Sequence, residues 1–380
     1  MSEWTAYTLG EVTKNFDSVR VPVKSTERVP GPYPYYGASG VVDRVSEYLF
    51  DGEYLLIAED GENLRTRKTP VAFIATGKFW VNNHAHVVRG NHLANTRFLC
   101  YRLALTDISG HLSGSTQPKL TQASLNAIKV KLPGRGQQDA VVDLLRALDD
   151  KIAVNEHIAV TAEALANAHY RDERGDLTEV PERLGTLAKV VVGGTPSRSR
   201  PEYWSGGTIN WINSGKANDF RVVEPSEMIT EEGLAGSSVK LMPPGATLIG
   251  ITGATMGQVS RLEITAGGSQ NVAGVWSDDP ALNDWLFYDI QARVADLIKH
   301  ASGGAQQHIN KRIIVELECV VPGTMRLAAW SAKTSPLVKL AAQVLMENRT
   351  LAALRDTLLP PLMSGRLRVK DAEKIVEDNT

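Results

Sequence analysis

The sequence predicts an α+β protein in which two pseudo-symmetric mixed α/β lobes are joined by two long helices that pair as a coiled coil. Three observations predict it: an internal repeat, a change of texture within each half, and an apolar stripe at helical spacing where the texture changes. The length of 380 residues points the same way, because single hydrophobic cores usually stop growing below that size.

The repeat emerges when the chain is shifted by 189 positions. Ser113-Gly114 falls on Ser302-Gly303, Gln117 on Gln306, and Pro133-Gly134 on Pro322-Gly323. Between them Leu120, Leu125, Ile128, Val130 and Leu132 meet Ile309, Ile314, Leu317, Cys319 and Val321. The same shift carries Thr161, Ala164 and Leu165 onto Thr350, Ala353 and Leu354. Leu9-Gly10-Glu11-Val12-Thr13-Lys14 answers Leu184-Gly185-Thr186-Leu187-Ala188-Lys189 at a slightly different offset, and Asn83 and Ala85 answer Asn271 and Ala273. A constant offset that keeps apolar on apolar reads as duplication, and two similar halves can pack about a pseudo-twofold axis.

Residues 1–134 are rich in Gly, Pro, Asn, aromatic and β-branched residues, with short apolar runs such as Tyr54-Leu55-Leu56-Ile57-Ala58. That texture predicts short strands and loops. From Gln137 to about Asp172 there is no Pro or Gly, and Val141, Leu145, Leu148, Ile152, Ala159, Ala162 and Ala166 stand three and four apart. Asn155 occupies the same seam, where a polar side chain can set helix register. Pro133-Gly134 marks the start and Gly175 the end, for a helix of about 54 Å. Residues 180–324 return to strand-like texture, with Gly193-Gly194-Thr195-Pro196 and Ser205-Gly206-Gly207 read as turns. A second helix is expected from about Pro336 to Leu359, with Leu337, Leu340, Val344, Leu351, Leu354 and Leu358 as its stripe and Pro360-Pro361 as its stop. Residues 325–335 could instead begin a helix that Pro336 kinks. The charged tail to Thr380 reads as a short helix or a frayed end. Alone, each long helix would expose its stripe; pairing buries some dozen side chains at roughly 1.5–3 kcal/mol each. The alternative, a helix packed only on its own lobe, fits poorly with a rod that outruns the lobe's diameter.

Composition narrows the class. With 43% hydrophobic and 22% charged residues the chain has the make-up of a folded soluble protein rather than a disordered one. The formal net charge of −2 provides no chain-wide basic field, so any polyanion site is local. Cys100 and Cys319 are too few for a disulfide framework or a cysteine zinc site, which fits a reducing cytoplasm. Met1-Ser2-Glu3-Trp4 lacks the basic and apolar segments of a signal peptide. The longest uncharged stretch, Leu241 to Ser260, contains Pro243, Pro244 and four glycines, a poor membrane helix.

Catalytic patterns are missing. There is no Walker A motif, and Gly253-Ala254-Thr255-Met256-Gly257 lacks its lysine and spacing, so it reads as a tight turn. Met242-Pro243-Pro244-Gly245 and Leu359-Pro360-Pro361-Leu362 are poor imitations of an adenine-methylation motif. His84, His86 and His92 permit a metal site on spacing, although packing histidines are the simpler reading. Glu59-Asp60-Gly61-Glu62 offers close carboxylates, read as a solvated acidic turn. Arg65, Arg67 and Lys68 crowd one loop, and Arg198 with Arg200 occupies an early loop of the second half. The first helical stretch is net acidic, so negative charge is partly segregated from the lobes. A modest basic face on each lobe can meet phosphates while Asn, Gln, Ser and Arg read base edges.

Several longer strings are specific. The first half holds Pro34-Tyr35-Tyr36-Gly37-Ala38-Ser39-Gly40, Phe50-Asp51-Gly52-Glu53-Tyr54 running on to Gly61, and Val81-Asn82-Asn83-His84-Ala85-His86-Val87. The second holds Gly193-Gly194-Thr195-Pro196-Ser197, Tyr203-Trp204, Ile209-Asn210-Trp211-Ile212, Gly253-Ala254-Thr255-Met256-Gly257 and Gln270-Asn271. With these strings the chain resembles, over nearly its full length, the specificity subunits of type I restriction–modification systems. The resemblance implies target recognition domains at 1–134 and 177–324, a central helical spacer at 135–176, and a C-terminal helical spacer and tail at 325–380, the helices antiparallel. It implies a non-catalytic chain that reads a bipartite site in double-stranded DNA and binds two methyltransferase subunits, which use S-adenosylmethionine to methylate adenine N6. Restriction subunits using ATP and Mg would add cleavage. No cofactor is expected in this chain, and no membrane.

DNA contact is expected from Arg65, Arg67, Lys68, Asn82 and His84 in the first lobe and from Arg198, Arg200, Ser214, Lys216 and Asn218 in the second. Helix pairing and partner contact are expected from Leu145, Leu148, Ile152, Asn155, Leu340, Val344, Leu351 and Leu354. Two other classes compete: a coiled-coil structural adapter that reads no DNA, and a stand-alone nucleic-acid enzyme, whose only candidates are the Glu59–Glu62 and His84–His92 clusters.

Overall fold

Short apolar runs of the first lobe become the strands of three small sheets. In chain order the lobe has β1 (Thr5–Thr8), α1 (Leu9–Val12), β2 (Thr13–Asn15), β3 (Pro30–Gly37), β4 (Gly40–Val45), β5 (Phe50–Asp51) and β6 (Tyr54–Ala58). There follow α2 (Asn63–Thr66), β7 (Ala72–Ala75), β8 (Lys78–Val81), β9 (Ala85–Gly90), α3 (Thr96–Ala104), α4 (Gln122–Asn126) and β10 (Lys129–Leu132), then the long helix α5 (Arg135–Gly175). The sheets are β1-β10, β2-β9-β6-β7 and β4-β3-β8-β5. Leu55 to Ala58 are all buried because β6 is an inner strand, which is why its run is continuous rather than alternating.

The second lobe repeats this plan. It holds β11 (Glu182–Arg183), α6 (Leu184–Leu187), β12 (Lys189–Val192), β13 (Ile209–Ile212), β14 (Arg221–Val222), β15 (Glu227–Ile229), α7 (Glu231–Ala235) and β16 (Leu241–Met242). It continues with β17 (Thr247–Gly250), β18 (Val259–Leu262), β19 (Ala266–Gly268), β20 (Val272–Trp276), α8 (Pro280–Lys299), α9 (Lys311–Val315) and β21 (Glu318–Cys319). Its sheets, β11-β21, β12-β20-β17-β18-β14 and β15-β13-β19-β16, match those of the first lobe except that β14 is an added edge strand. Local bonds recur between the halves, with Ile128, Thr121 and Ser124 answered by Leu317, Asn310 and Ile313 at the offset of 189. Leu9 N–H donates to Ile128 O and Leu184 N–H to Leu317 O. Thr121 caps α4 through Ser124 N–H, and Asn310 caps α9 through Ile313 N–H.

The computed structural model describes residues 4–301 and 308–379; Met1-Ser2-Glu3, the repeat residues Ser302-Gly303 and Gln306, and Thr380 lie outside them. The chain divides into two compact units, Met1–Asp150 with Ala352–Thr380, and Lys151–Leu351. Each unit holds one lobe with part of α5 and part of α10 (Thr324–Met363); the first also holds α11 (Val369–Glu377). Among the described residues no helix is long and apolar enough to cross a membrane.

Helix α5 closely follows its expected span, and Val141, Leu145, Leu148, Ala159, Ala162 and Ala166 are buried along it. In the second unit Ala159 and Ala162 pack against Ala341 and Val344. Asn155 is fully buried there and its Nδ2 donates to Glu347 at 2.9 Å, while Arg326 pairs with Glu173 at 2.7 Å, so the two helices run antiparallel. In the first unit Arg355 of α10 pairs with Asp149 of α5 at 2.8 Å.

The second helix takes the longer of the two spans expected at its start and corrects the expectation at its end. It starts at Thr324 rather than near Pro336 and runs through Pro360-Pro361 to Met363, 40 residues in all. A proline inside a helix costs about 3 kcal/mol, and packing outweighs that cost. Leu327, Trp330 and Val338 are buried in one cluster with Tyr170, Trp285 and Tyr288, each worth roughly 1.5–3 kcal/mol. Leu358, Leu362 and Met363 are buried likewise at the other end. Leu340, placed in the stripe by sequence, is 40% exposed; the seam position belongs to Ala341, whose small side chain fits the close approach to Ala159 and Ala162. Gly193-Gly194 is a second correction. It is not a turn but a close approach, since a Cβ on Gly193 would stand 2.2 Å from Gly268 O.

Because Pro336 is exposed and supplies no N–H, Pro336→Ala is expected to stabilise the protein by on the order of 1–3 kcal/mol. Urea unfolding measures it, and an unchanged or lower stability would argue against a continuous helix through this position.

Candidate nucleic-acid interface

In the first lobe the acidic turn and basic loop fold into an ion-paired framework. Glu59, read as solvated, is largely buried and accepts from Arg20 at 2.8 Å, with Lys119 at 3.4 Å. Asp60 lies 2.8 Å from His84 Nδ1. His86 is buried, with Nδ1 2.6 Å from Asp17 and Nε2 2.7 Å from Leu120 O. These partners explain two of the three histidines, and among the described residues no group of three His, Cys, Asp or Glu side chains could hold a metal ion.

The expected DNA-contact arginines of this lobe are bound to its own backbone. Arg65 donates to the carbonyls of Gly114 at 2.7 Å and Ser115 at 3.0 Å. Arg67 donates to Leu103 O at 2.8 Å, Ala104 O at 3.0 Å and Thr106 O, so its cation sits at the C-terminus of α3, where the helix dipole favours it. It is the one non-glycine residue at positive φ, +48°, among those described. That conformation costs roughly 1–2 kcal/mol, which three charge-assisted bonds offset. Asn82 is buried and its Oδ1 accepts from His84 N–H. Lys68 stands exposed. So do Lys129 and Lys131, which alternate with buried Val130 and Leu132 on β10. Sequence reasoning passed over these two lysines, although the alternation Lys-Val-Lys-Leu is the signal. It also missed the β3–β4 hairpin, whose Val41 and Val42 are exposed side by side.

In the second lobe Arg198 makes a two-pronged pair with Glu227, both bonds 2.7 Å, and lies 3.5 Å over the ring of Trp204. That pair holds the Glu227 carboxyl below its ordinary pKa. Trp204 meets Trp211 edge to face at 5.2 Å, so the arginine rests on an aromatic shelf. Arg200 donates to the Tyr203 hydroxyl. Ser214, Lys216 and Asn218 share one 3-10 turn, Ser214–Asn218, capped by Asn213. Within it Lys216 pairs with Asp219 at 2.9 Å and Glu224 at 3.2 Å, and Asn218 donates to Gly215 O. The Gly253-Ala254-Thr255-Met256-Gly257 string is the tight turn expected of it, with φ +60° at Gly253 and +82° at Gly257. The structure thus gives most of the predicted residues internal partners.

The comparisons follow from this geometry. Residues 1–164 match the family described as Type I restriction modification DNA specificity domain. Over 146 residues the chain is 41% identical to a Haemophilus influenzae chain named as a type I restriction enzyme specificity subunit, covering 38% of this chain and only 37% of that one. It is 20% identical to the HindI specificity subunit of the same organism over an alignment of 475 residues, covering 97% of this chain and 100% of that one. The crystal structure of the type I restriction–modification S subunit from M. genitalium shares the fold, with a TM-score of 0.66 at 13% identity over 95% of this chain and 96% of that one. The fold is shared with that S subunit, and residues 1–164 are similar to a type I restriction modification DNA specificity domain.

Asp17 provides a pH test of the first framework. Burial opposes its charge, but His86 and the Val87 amide outweigh burial and hold its carboxyl below the ordinary value. A carboxyl so lowered stabilises the fold above its unfolded pKa and loses that contribution as pH falls through the folded one. Asp17→Asn is therefore expected to be less stable than the parent by a constant margin above about pH 4, shrinking below it. Urea unfolding across pH reads this directly; a margin that persists undiminished in acid would remove the charge from the account.

Proposed function

We propose that this chain is the DNA-reading subunit of a type I restriction–modification complex, in which each lobe recognises one half of a bipartite site and the paired helices set the distance between halves. The observation that carries this reading is the repeat of whole sheet topologies, β4-β3-β8-β5 against β15-β13-β19-β16, in two lobes of one chain. Two like lobes suit a bipartite site, which presents two half-sites to be read.

In this reading the exposed cations Lys68, Lys129 and Lys131 meet phosphates, and Arg198 exchanges Glu227 for a phosphate or a guanine edge while Trp204 keeps its guanidinium flat. Arg65, Arg67, Asn82 and Lys216 support the loops that carry the contacts, because their polar atoms are engaged within the lobe. Ser214 and Asn218 lie on the turn that Lys216 braces. Two methyltransferase subunits supply S-adenosylmethionine and the transfer to adenine N6, and motor-nuclease subunits supply ATP-driven cleavage. Partner contact is assigned to the outer side of α5, where Val154 and Leu165, three turns apart on one face, are 54% and 46% exposed.

Co-expression with the cognate methyltransferase in a host lacking adenine methylation, followed by modified-base sequencing, tests the reading. A split motif methylated on both strands, and absent without this chain, is the expected result. Co-purification without methylation would instead favour the adapter. Replacing both Arg198 and Trp204 by Ala is expected to relax one half of the motif by about tenfold or more and leave the other half intact; loss of both halves together would contradict independent reading.

A further inference from the structure

The added edge strand β14 carries a buried ionic cluster that no part of the proposed DNA contact uses. Arg221 is fully buried in its side chain. Its Nη2 donates to Glu163 of α5 at 2.6 Å and its Nη1 to Glu263. In the parallel register of β14 and β18, Arg221 stands beside Arg261. Arg261 in turn pairs with Asp284 of α8 at 2.5 Å and faces Glu263 at 3.7 Å. Two neighbouring cations would repel across a sheet; the shared Glu263 and the two flanking carboxylates reverse that. The next residue along, Val223, accepts from Arg349 of α10 at 3.3 Å. One short strand therefore ties its lobe to both long helices within the second unit.

We propose that β14 is an orientation lock and that Arg221 is its positioning residue, holding the second lobe at one angle on its helices so that a single spacer length is accepted between half-sites. The spacer part of this inference rests on the DNA-reading function; the lock itself does not. The demand on angle is severe, because one base pair of spacer turns a half-site by about 35°. A lobe free to rock through such an angle would accept neighbouring spacings. Among the described residues the first lobe has no counterpart of β14. It is tied to α5 by hydrogen bonds: Gln138 Nε2 donates to Leu93 O, its Oε1 accepts from Asn95 N–H, and Tyr101 donates to Asp149.

Glu163→Ala is the informative variant. It deletes the α5 end of the lock yet leaves two arginines facing two carboxylates, so the lobe keeps a balanced core. Spin labels at His157 on α5 and Met228 on β15, both exposed, are placed in the full chain with Cys100→Ser, and pulsed dipolar spectroscopy gives their distance distribution. The parent is expected to show one narrow distance and Glu163→Ala a broadened one. In the methylation assay the variant is expected to modify the same two half-motifs at spacers one base pair shorter and longer as well. An unchanged distance distribution, or a broadened one with the single spacer retained, overturns the proposal in its mechanical or its spacer part respectively. If the parent methylates no split motif, the DNA-reading function fails while the distance measurement still decides the lock. Should Glu163→Ala not fold, Arg349→Ala, which removes the other tie from an exposed position, is read in the same way.

Discussion

Close approach of small residues in the helix seam is the constraint on which the rest depends. Ala159 and Ala162 pack against Ala341 and Val344, and side chains this small allow a short separation between α5 and α10. At that separation the Asn155 amide reaches Glu347 and the Asn348 amide reaches the carbonyl of Ile152. Leucines in the seam would hold the helices apart and break both bonds. A polar pair inside an apolar seam costs some stability and makes slipped registers worse, since a one-turn shift would take Glu347 out of reach of Asn155. With the register set, α5 turns Glu163 and Tyr170 toward the second lobe, and the Tyr170 hydroxyl donates to fully buried Asp289 at 2.8 Å.

On this frame the duplication is visible in chemistry as well as topology. Caps, turn-closing bonds and the parallel pairing of β3 with β8 recur in β13 with β19, although few side chains are identical. What is repeated is backbone connectivity; what differs is how each lobe is fastened. The first uses hydrogen bonds to main-chain atoms and to the Asp139 and Asp149 carboxylates, and the second an aromatic cluster with buried ions. Buried ions contribute less net stability than apolar packing of equal volume, because desolvation consumes most of the attraction. Their contribution is directional, which suits a fastening more than a core.

The frame was legible in sequence where its signals are local. Pro133-Gly134 and Gly175 bracket α5, and the 4-3 spacing of its apolar residues survives in the burial. The start of α10 was not, because Pro336 is a strong local signal and the packing of Leu327 and Trp330 that overrides it comes from residues such as Trp285, far away in the chain. Leu340 misled for a related reason: hydrophobicity ranks it above Ala341, whereas the seam selects for size. At the candidate interface, Arg65, Arg67, Arg198 and Lys216 stand out in the sequence as cations, but their partners were invisible. Arg67 and Thr106 are 39 residues apart and the acceptor is a backbone carbonyl, which leaves no mark in side-chain spacing. The cluster of Glu163, Arg221, Arg261, Glu263 and Asp284 was equally silent, being assembled from four separated segments.

The two kinds of fastening bear on how such a chain can change in evolution. Gln138 addresses main-chain atoms, the carbonyls of Leu93 and Pro133, which every amino acid carries, and the N–H of Asn95, which all but proline carry. A first lobe of different sequence can be grafted onto the same helix and find its anchor waiting. Arg221 addresses a single carboxylate at one point on α5. A second lobe carrying a different edge strand would leave Glu163 buried and unanswered, so recombination there has to carry the helix along with the lobe. One end of the molecule is a socket that takes any plug of the right shape; the other is keyed.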